Sequence, residues 1–586
     1  MNYALTTKGN PTKPASAFSA LRKLWPLLRE EKTHLFLALF AIVLNSGLNL
    51  VAPLLVGHTI DTYIQAGQFQ GVLVFAAILT VLYLIAFVAA YFQTMLMGGV
   101  GQRLLFRLRN GIFQKLQELP VAFFNQNKAG DLISRINNDT DKLNQFFSQA
   151  LMQFVGNAFI IIGAGIFLMT LHVNLGLASL VPAIFLLIVT QSLSAWIRRK
   201  NAASMQALGG MSGEIQESLS NFKVVVAFDR RDFFRRKFAE TNEQNYKTSV
   251  TAGIANTVYM PIYGLSGSIA QLIVLTYGIY LISIGQFSVG ILISYLTYVT
   301  RFYDPLRQLA SVWASFQAAM AGWDRIASIM ALESDMKLLP SKTTTQPAPL
   351  LTFENVHFSY PDGQEVLHGI NLNLERGKTY ALVGPTGGGK TTTASLIARL
   401  YDPTEGTILL DGKNIRSYSA EDRTKKIGFI LQEPFLFTGT VRENILYGNT
   451  EYASLTNEEV IEHLRDAHID ALLERFEKGL DTQITNGGDG ISLGQRQLIA
   501  FMRAVLKNPD ILILDEATAN IDTVTEKLLE DILQKLPPKT TRVIIAHRLN
   551  TIENADEIYF VNAGDVIQAG SFDHALEMLL HGKRAS

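Results

Sequence analysis

Six stretches of this chain contain no Asp, Glu, Lys or Arg, and they limit what it can fold into more than any other feature. They run Leu35–Gly57, Val72–Met97, Leu151–Leu171, Val173–Ala195, Gly253–Ile282 and Ile284–Thr300. A helix needs about 20 apolar residues to cross roughly 30 Å of hydrocarbon, and most of the six reach that length. The last is shorter but continues apolar past Arg301. Any one of them fits a buried soluble helix, but six within half of 586 residues point to a helical membrane domain.

Lys and Arg set the expected orientation. Residues 58–71, 172 and 283 contain none, whereas residues 98–150 hold seven and 196–252 hold ten. The N-terminal tail is also basic, and polar over about its first 34 residues, with no cleavage-like signal segment. The positive-inside rule puts the tail, both long linkers and everything after the sixth segment in the cytoplasm. Both termini are then cytoplasmic, at the cell membrane. Prolines are sparse from Pro53 to Pro261, so the long linkers read as helical. A helix from Val72 to Leu119 would be about 70 Å long, over twice the hydrocarbon thickness, and must project into the cytoplasm.

The last 240 or so residues have ordinary soluble composition. The expected divisions are a tail at 1–34, a membrane domain at 35–336, a linker at 337–349 and a second domain at 350–586. Three prolines among Lys, Thr and Gln break the periodic pattern in that linker. Net charge is zero and charged residues are 17%, which gives no basis for a nucleic-acid surface. The chain has no cysteine, which excludes disulfides and zinc–thiolate sites and is compatible with a reducing cytoplasm.

The second domain opens its chemistry with Gly384-Pro385-Thr386-Gly387-Gly388-Gly389-Lys390-Thr391, between the apolar run Tyr380–Val383 and a helical run Thr392–Leu400. This is G-x-x-x-x-G-K-[ST] in the strand–loop–helix context that a phosphate-binding loop requires. Its glycines let backbone N–H groups converge on phosphate oxygens, and the helix N-terminus adds partial positive charge. Lys390 can reach the β- and γ-phosphates of ATP, and Thr391 can place its hydroxyl on Mg²⁺. Further on, Ile511–Leu514 reads as a buried strand ending in Asp515 and Glu516. Asp515 is expected to hold Mg²⁺, through water, and Glu516 to polarise the attacking water.

Ile491-Ser492-Leu493-Gly494-Gln495-Arg496-Gln497 resembles the signature loop of ABC transporter ATPase domains. The other family elements can be matched in order. Tyr360 resembles the aromatic residue that stacks on adenine, Gln432 the Q-loop glutamine near Mg²⁺ and the water, Asp522 the D-loop aspartate, and His547 the switch histidine at the γ-phosphate. Seven elements in one order over about 190 residues make a specific match. Ser492 and Gln495 also form a capping box ahead of an amphipathic helix, whose free N–H groups suit an anion. The resemblance implies that this helix start faces the ATP of a second subunit. Leu119–Arg135 and Ser220–Phe228 resemble the two coupling regions of ABC exporters. The chain as a whole resembles an exporter half-transporter, with six membrane helices and long cytoplasmic extensions ahead of an α/β P-loop ATPase.

One departure is informative. Leu493 stands where the family usually has glycine, while Lys390, Asp515, Glu516 and His547 are intact. Bacterial heterodimeric multidrug exporters divide their motifs in this way, so the expected partner is a different half-transporter with an intact signature and a degenerate Walker B; a homodimer is the alternative. The uncharged interior, with Asn45, Asn49, Gln93, Tyr259, Tyr263, Gln271, Tyr295, Tyr298 and Phe302, suits hydrophobic or amphipathic small molecules, and many of these aromatics fit equally well as interfacial anchors or packing residues. Alternatives are a lipid flippase or lipid or peptide exporter on the same motor, and an ATP-gated regulator, which would not need Glu516.

Overall fold

The computed structural model describes residues 3–5, 29–340, 348–361, 363–485, 488, 490–515, 523–545, 553–570 and 572–581. The chain divides into two compact units. One is Thr7–Leu116 with Gly130–Ala331; the other is Met1–Thr6, Gln117–Ala129 and Leu332–Ser586.

The first unit is helical. Its long helices are α1 (Lys32–Thr59), α2 (Phe69–Glu118), α3 (Leu151–Leu171), α4 (Val173–Ser220), α5 (Arg231–Thr257), α6 (Tyr259–Ser283) and α7 (Val289–Met330). At 50 residues, α2 is about 75 Å long, as its proline-free sequence requires. Pro53, Pro182 and Pro305 lie inside helices, where neighbouring groups can satisfy the freed carbonyls. Among the described residues, five continuous helical runs are long and apolar enough to cross a membrane: Arg29–Ile64, Phe69–Glu118, Ala129–Leu171, Val173–Ser220 and Arg231–Ser283.

The sixth segment differs from its reading as Ile284–Thr300. Ile284 caps the end of α6, Gly285 turns the chain at φ 74°, and α7 begins only after Ser288. The Ser288 hydroxyl accepts the Ile291 N–H as an N-cap. From there α7 runs 42 residues and carries Arg301, Asp304 and Arg307, so it is more polar than the other spans.

Tyrosines on α7 pin the bundle. The Tyr298 hydroxyl donates to Leu50 O of α1 at 2.6 Å, Tyr303 to Ser179 O of α4 at 2.8 Å, and Tyr295 to Leu168 O of α3. All three are buried, so Tyr295 and Tyr298 are packing residues and not the cavity lining expected of them. Near the start of α7, Asp61 accepts the Gly290 N–H at 2.7 Å. A Cβ on Gly290 would fall 2.1 Å from Gly57 O, so only glycine permits that crossing. At the opposite end of α7, Arg135 is buried beside Asp131 and Arg325, and Arg325 also pairs with Asp139.

The second unit is α/β. Its central sheet runs, in spatial order, Ile427–Ile430, Ile511–Asp515, Thr541–Ile545, Thr379–Val383 and Glu557–Asn562, all parallel, with Asp565–Gln568 antiparallel at the edge. The parallel strands are almost wholly buried, which explains their uninterrupted apolar sequence. An antiparallel sheet, with Leu351–Ser359 between Glu365–Leu374 and Glu405–Leu410, packs its apolar face into the same core.

This unit also contains residues 117–129 and the chain start. Pro120 breaks the helix after α2 and opens the short helix Val121–Gln126. Tyr3 is buried there, its ring edge-on to Phe123 at 6.4 Å. Its backbone N–H donates to Gln126 Oε1 at 2.8 Å, and Asn127 bonds both Tyr3 O and the Leu5 N–H. Its hydroxyl donates to Asp335 Oδ1 at 2.6 Å and accepts the Asp335 N–H at 2.9 Å.

Candidate nucleotide site

The phosphate loop lies where the strand Thr379–Val383 ends. Register places Ile545 opposite both Asp515 and Leu382, so the strands before the loop, before Glu516 and before His547 finish along one edge of the sheet. Ligands of open α/β sheets bind beyond that edge. Gly384, Gly387 and Gly389 have φ of 142°, 83° and 115°, and the helix Lys390–Ile397 starts directly after them. Residues with a side chain rarely adopt such angles. A Cβ on Gly384 would also lie 2.0 Å from Val561 O, and one on Gly388 2.5 Å from the same oxygen. At Gly384 and Gly388 the loop therefore rests on the strand Glu557–Asn562 with no room for a side chain, and the Gly564 N–H bonds to Gly388 O at 3.1 Å.

Lys390 is buried, its ammonium donating to Gly384 O at 2.8 Å and Pro385 O at 3.0 Å. Pro385, Thr386 and Gly387 at the tip of the loop are exposed, as is Thr391, while Thr392 is buried. Asp515 is buried at the end of its strand, and Gln432 is exposed after the strand Ile427–Ile430. Among the described residues no cluster of three His, Cys, Asp or Glu can hold a metal by itself. Glu516, Asp522 and His547 lie outside the described residues, as do Asn486, Gly487 and Asp489 before the signature.

Tyr360 stands over the start of the same helix, its hydroxyl 3.1 Å from Thr392 Oγ1. At the signature, Ser492 caps the helix Leu493–Val505 as the spacing predicts. Its hydroxyl accepts the Gln495 N–H at 3.1 Å, Gln495 Oε1 accepts the Ser492 N–H at 3.0 Å, and the Gln495 amide also donates to Arg475 O. Leu493 takes ordinary helical geometry and is not among the residues of positive φ. Ser492, Gly494 and Gln495 are partly or fully exposed, and among the described residues no hydrogen bond or ion pair joins them to the phosphate loop.

Residues 35–306 match the ABC transporter transmembrane region, and residues 367–519 match the ABC transporter family. The chain is 34% identical over 568 residues to the Uncharacterized ABC transporter ATP-binding protein YfiC of Bacillus subtilis, covering 95% of this chain and 92% of that one. This chain belongs to the ABC transporter family. It is also 32% identical to the Fatty acid ABC transporter ATP-binding/permease protein of Mycobacterium bovis, over 84% of this chain and 78% of the relative. The Putative multidrug export ATP-binding/permease protein YgaD of Bacillus subtilis is 29% identical, over 95% and 97%. This ABC exporter chain thus fuses a multi-pass membrane region to an ATP-binding domain, and its ATP hydrolysis is coupled to transport. Exporters of this kind act as dimers.

Sequence reading missed part of the surroundings of the ABC site. Tyr401 packs edge-on against Tyr360 at 5.5 Å and against Phe358, forming an aromatic cluster around the Tyr360 ring. The Tyr401 hydroxyl accepts from Asn125 Nδ2 at 2.6 Å, and burial pushes it above the usual tyrosine range. Asn125 lies in the turn that resembles a first coupling region, and this bond joins that turn to the aromatic cluster around Tyr360. The resemblance of Leu119–Arg135 to a coupling region pointed to that turn; nothing in the sequence pointed to Tyr401.

Proposed function

We propose that the chain is one half of a dimeric exporter driving hydrophobic or amphipathic compounds out across the cell membrane, with both termini cytoplasmic and domain limits near 34, 336 and 349. The reading is carried by one observation: a phosphate loop that admits no side chain at Gly384 or Gly388, at the open edge of a parallel sheet, in a chain whose other unit is built of membrane-length helices. In that reading Lys390 and the loop amides of Gly384 to Thr392 bind the ATP phosphates, and Tyr360 stacks on adenine. Thr391, Gln432 and Asp515 hold Mg²⁺. When bound, the ion would neutralise phosphate charge. Glu516 polarises the hydrolytic water, His547 holds the γ-phosphate, and Asp522 with Ser492, Gly494 and Gln495 meets the nucleotide across the dimer. Lipid export on the same motor is the second reading, favoured by the relative named for fatty acids.

In the same reading the partner is a different half-transporter, because this chain keeps Lys390, Asp515, Glu516 and His547 while Leu493 alters its signature. Copurification from the native membrane tests this. A second ABC chain should accompany this one, and ATPase activity should need both. Leu493→Gly should then leave turnover within a few-fold, since the site it repairs lacks other parts. Brisk hydrolysis by this chain alone, rising in Leu493→Gly, would establish a homodimer instead. Efflux of a hydrophobic dye, abolished by Glu516→Gln, tests the export reading itself.

A further inference from the structure

Helices α6 and α7 enclose a cavity of about 170 Å³. On α6 its wall is Gly264, Gly267 and Ser268; on α7 it is Thr300, Asp304 and Arg307. A Cβ on Gly264 would meet nothing within 4 Å, so the small residues leave the cleft open along α6. One end is closed by Gln271, whose amide donates to Thr300 Oγ1 at 2.8 Å, and the rear by Tyr303, whose hydroxyl is tied to Ser179 O.

The two charges set this cleft apart. Asp304 and Arg307 lie about 22 and 27 Å along α7 from its first residue, distances shorter than the roughly 30 Å thickness of a hydrocarbon core. Both are exposed, and among the described residues neither forms an ion pair or a hydrogen bond. Several other charges of this unit are matched, Arg103 and Arg107 on Glu31 and Arg135 and Arg325 on Asp131, whereas Arg301, one turn earlier on α7, also leaves its buried Nε without a partner among the described residues. Charges at membrane depth are expensive and mark substrate pathways. Three residues apart on one helix, the pair shares a face, with about 5–6 Å between Cβ atoms.

We propose that this cleft is a substrate subsite for the head group of a zwitterionic amphiphile. Asp304 takes a substituted ammonium, Arg307 takes a phosphate or carboxylate through its planar fork, and the apolar tail lies along the Gly264–Ser268 face. A simple hydrophobic cation would leave Arg307 desolvated without a partner, and an anionic lipid would leave Asp304 so. The proposal rests on the export reading and narrows its substrate class.

The test uses the intact complex in lipid nanodiscs and three probes sharing one dodecyl chain below micellar concentration: a phosphocholine, a trimethylammonium and a phosphate. Stimulation of ATPase activity is read for each, alongside efflux of a hydrophobic dye from proteoliposomes. The phosphocholine should act at a concentration at least about tenfold below the other two. Asp304→Asn should shift the preference to the phosphate probe, Arg307→Gln should shift it to the ammonium probe, and Asp304→Glu should keep the parent order. A misfolded variant loses all three responses and cannot produce opposite shifts. Equal potency of the three probes, or an unchanged order in both neutral variants, overturns the subsite even when dye efflux proceeds. Absence of dye efflux from the parent complex defeats the export reading and the subsite with it.

Discussion

Replacing Tyr3 with phenylalanine removes one oxygen from the contact that ties residues 3–5 to the segment after α7. That oxygen donates to the Asp335 carboxylate at 2.6 Å and accepts the Asp335 N–H at 2.9 Å. A hydrogen bond to a charged group contributes about 1.5–3 kcal/mol and a neutral one about 0.5–1.5. Asp335 is exposed, so water recovers part of each and the lower ends apply, about 2 kcal/mol together. That corresponds to roughly thirtyfold in the docking equilibrium of residues 3–5. The readout is hydrogen exchange at the Tyr3 and Leu5 amides, which donate to Gln126 and Asn127. Both should exchange about thirtyfold faster in Tyr3→Phe. Tyr3→Ala also loses the ring packed on Phe123, a further cost of about 3–5 kcal/mol.

The same hydroxyl supplies a pH test. Burial, and then its bond to Asp335, push Tyr3 up from 10.0 to about 12. A released Tyr3 would lose its proton near 10, whereas the docked one keeps it to about 12. Its stabilisation is therefore complete below pH 10 and is lost as pH rises through that window, because the released state binds fewer protons there. A difference absorbance titration, parent minus Tyr3→Phe, should show one tyrosinate forming near 12. A difference midpoint at 10, or exchange rates unchanged in Tyr3→Phe, would refute the reasoning.

The ATP site carries two further predictions. Lys390→Ala should weaken ATP binding, whereas Glu516→Gln should keep binding and lose on the order of 10²-fold or more in turnover, read by nucleotide titration and phosphate release. Gly384→Ala should abolish nucleotide binding and lower Tm, because its Cβ would sit 2.0 Å from a strand carbonyl; Gly387→Ala meets nothing within 4 Å and should cost only about 1–2 kcal/mol for its left-handed backbone. For orientation, single cysteines at position 65 or 68 should be labelled from outside intact cells, and those at 127 or 237 only after permeabilisation; protection at 65 with reaction at 237 would invert the topology.

What the sequence made legible was what repeats along one element. The strand Tyr380–Val383, the strand ending at Asp515, the capping box at Ser492 and the unbroken length of α2 each follow from local composition and spacing, and the structure has them. Contacts that join distant parts of the chain were not legible. Nothing near Tyr401 announces a bond to Asn125, 276 residues earlier, and nothing near Tyr3 announces Asp335. Polarity in a membrane helix was misread for the same reason: Tyr295 and Tyr298 looked like cavity groups, yet their hydroxyls are spent on carbonyls of other helices.

The signature loop shows how the structure changes an argument without changing its conclusion. From sequence, leucine in place of glycine at 493 both restricts φ and adds bulk where backbone N–H groups must approach the γ-phosphate. In the structure Leu493 is the first residue of a helix whose capping box is complete, and its φ is not positive. Leucine is a good helix former and costs that helix nothing; glycine there would weaken it slightly. The backbone N–H groups at the helix start are therefore presented as glycine would present them, and what leucine adds is a partly exposed isobutyl group beside Ser492 and Gly494. Any effect on a partner's ATP must come from that volume. It follows that alanine at 493, small but helical, should behave as glycine does, which a purely conformational defect would not allow.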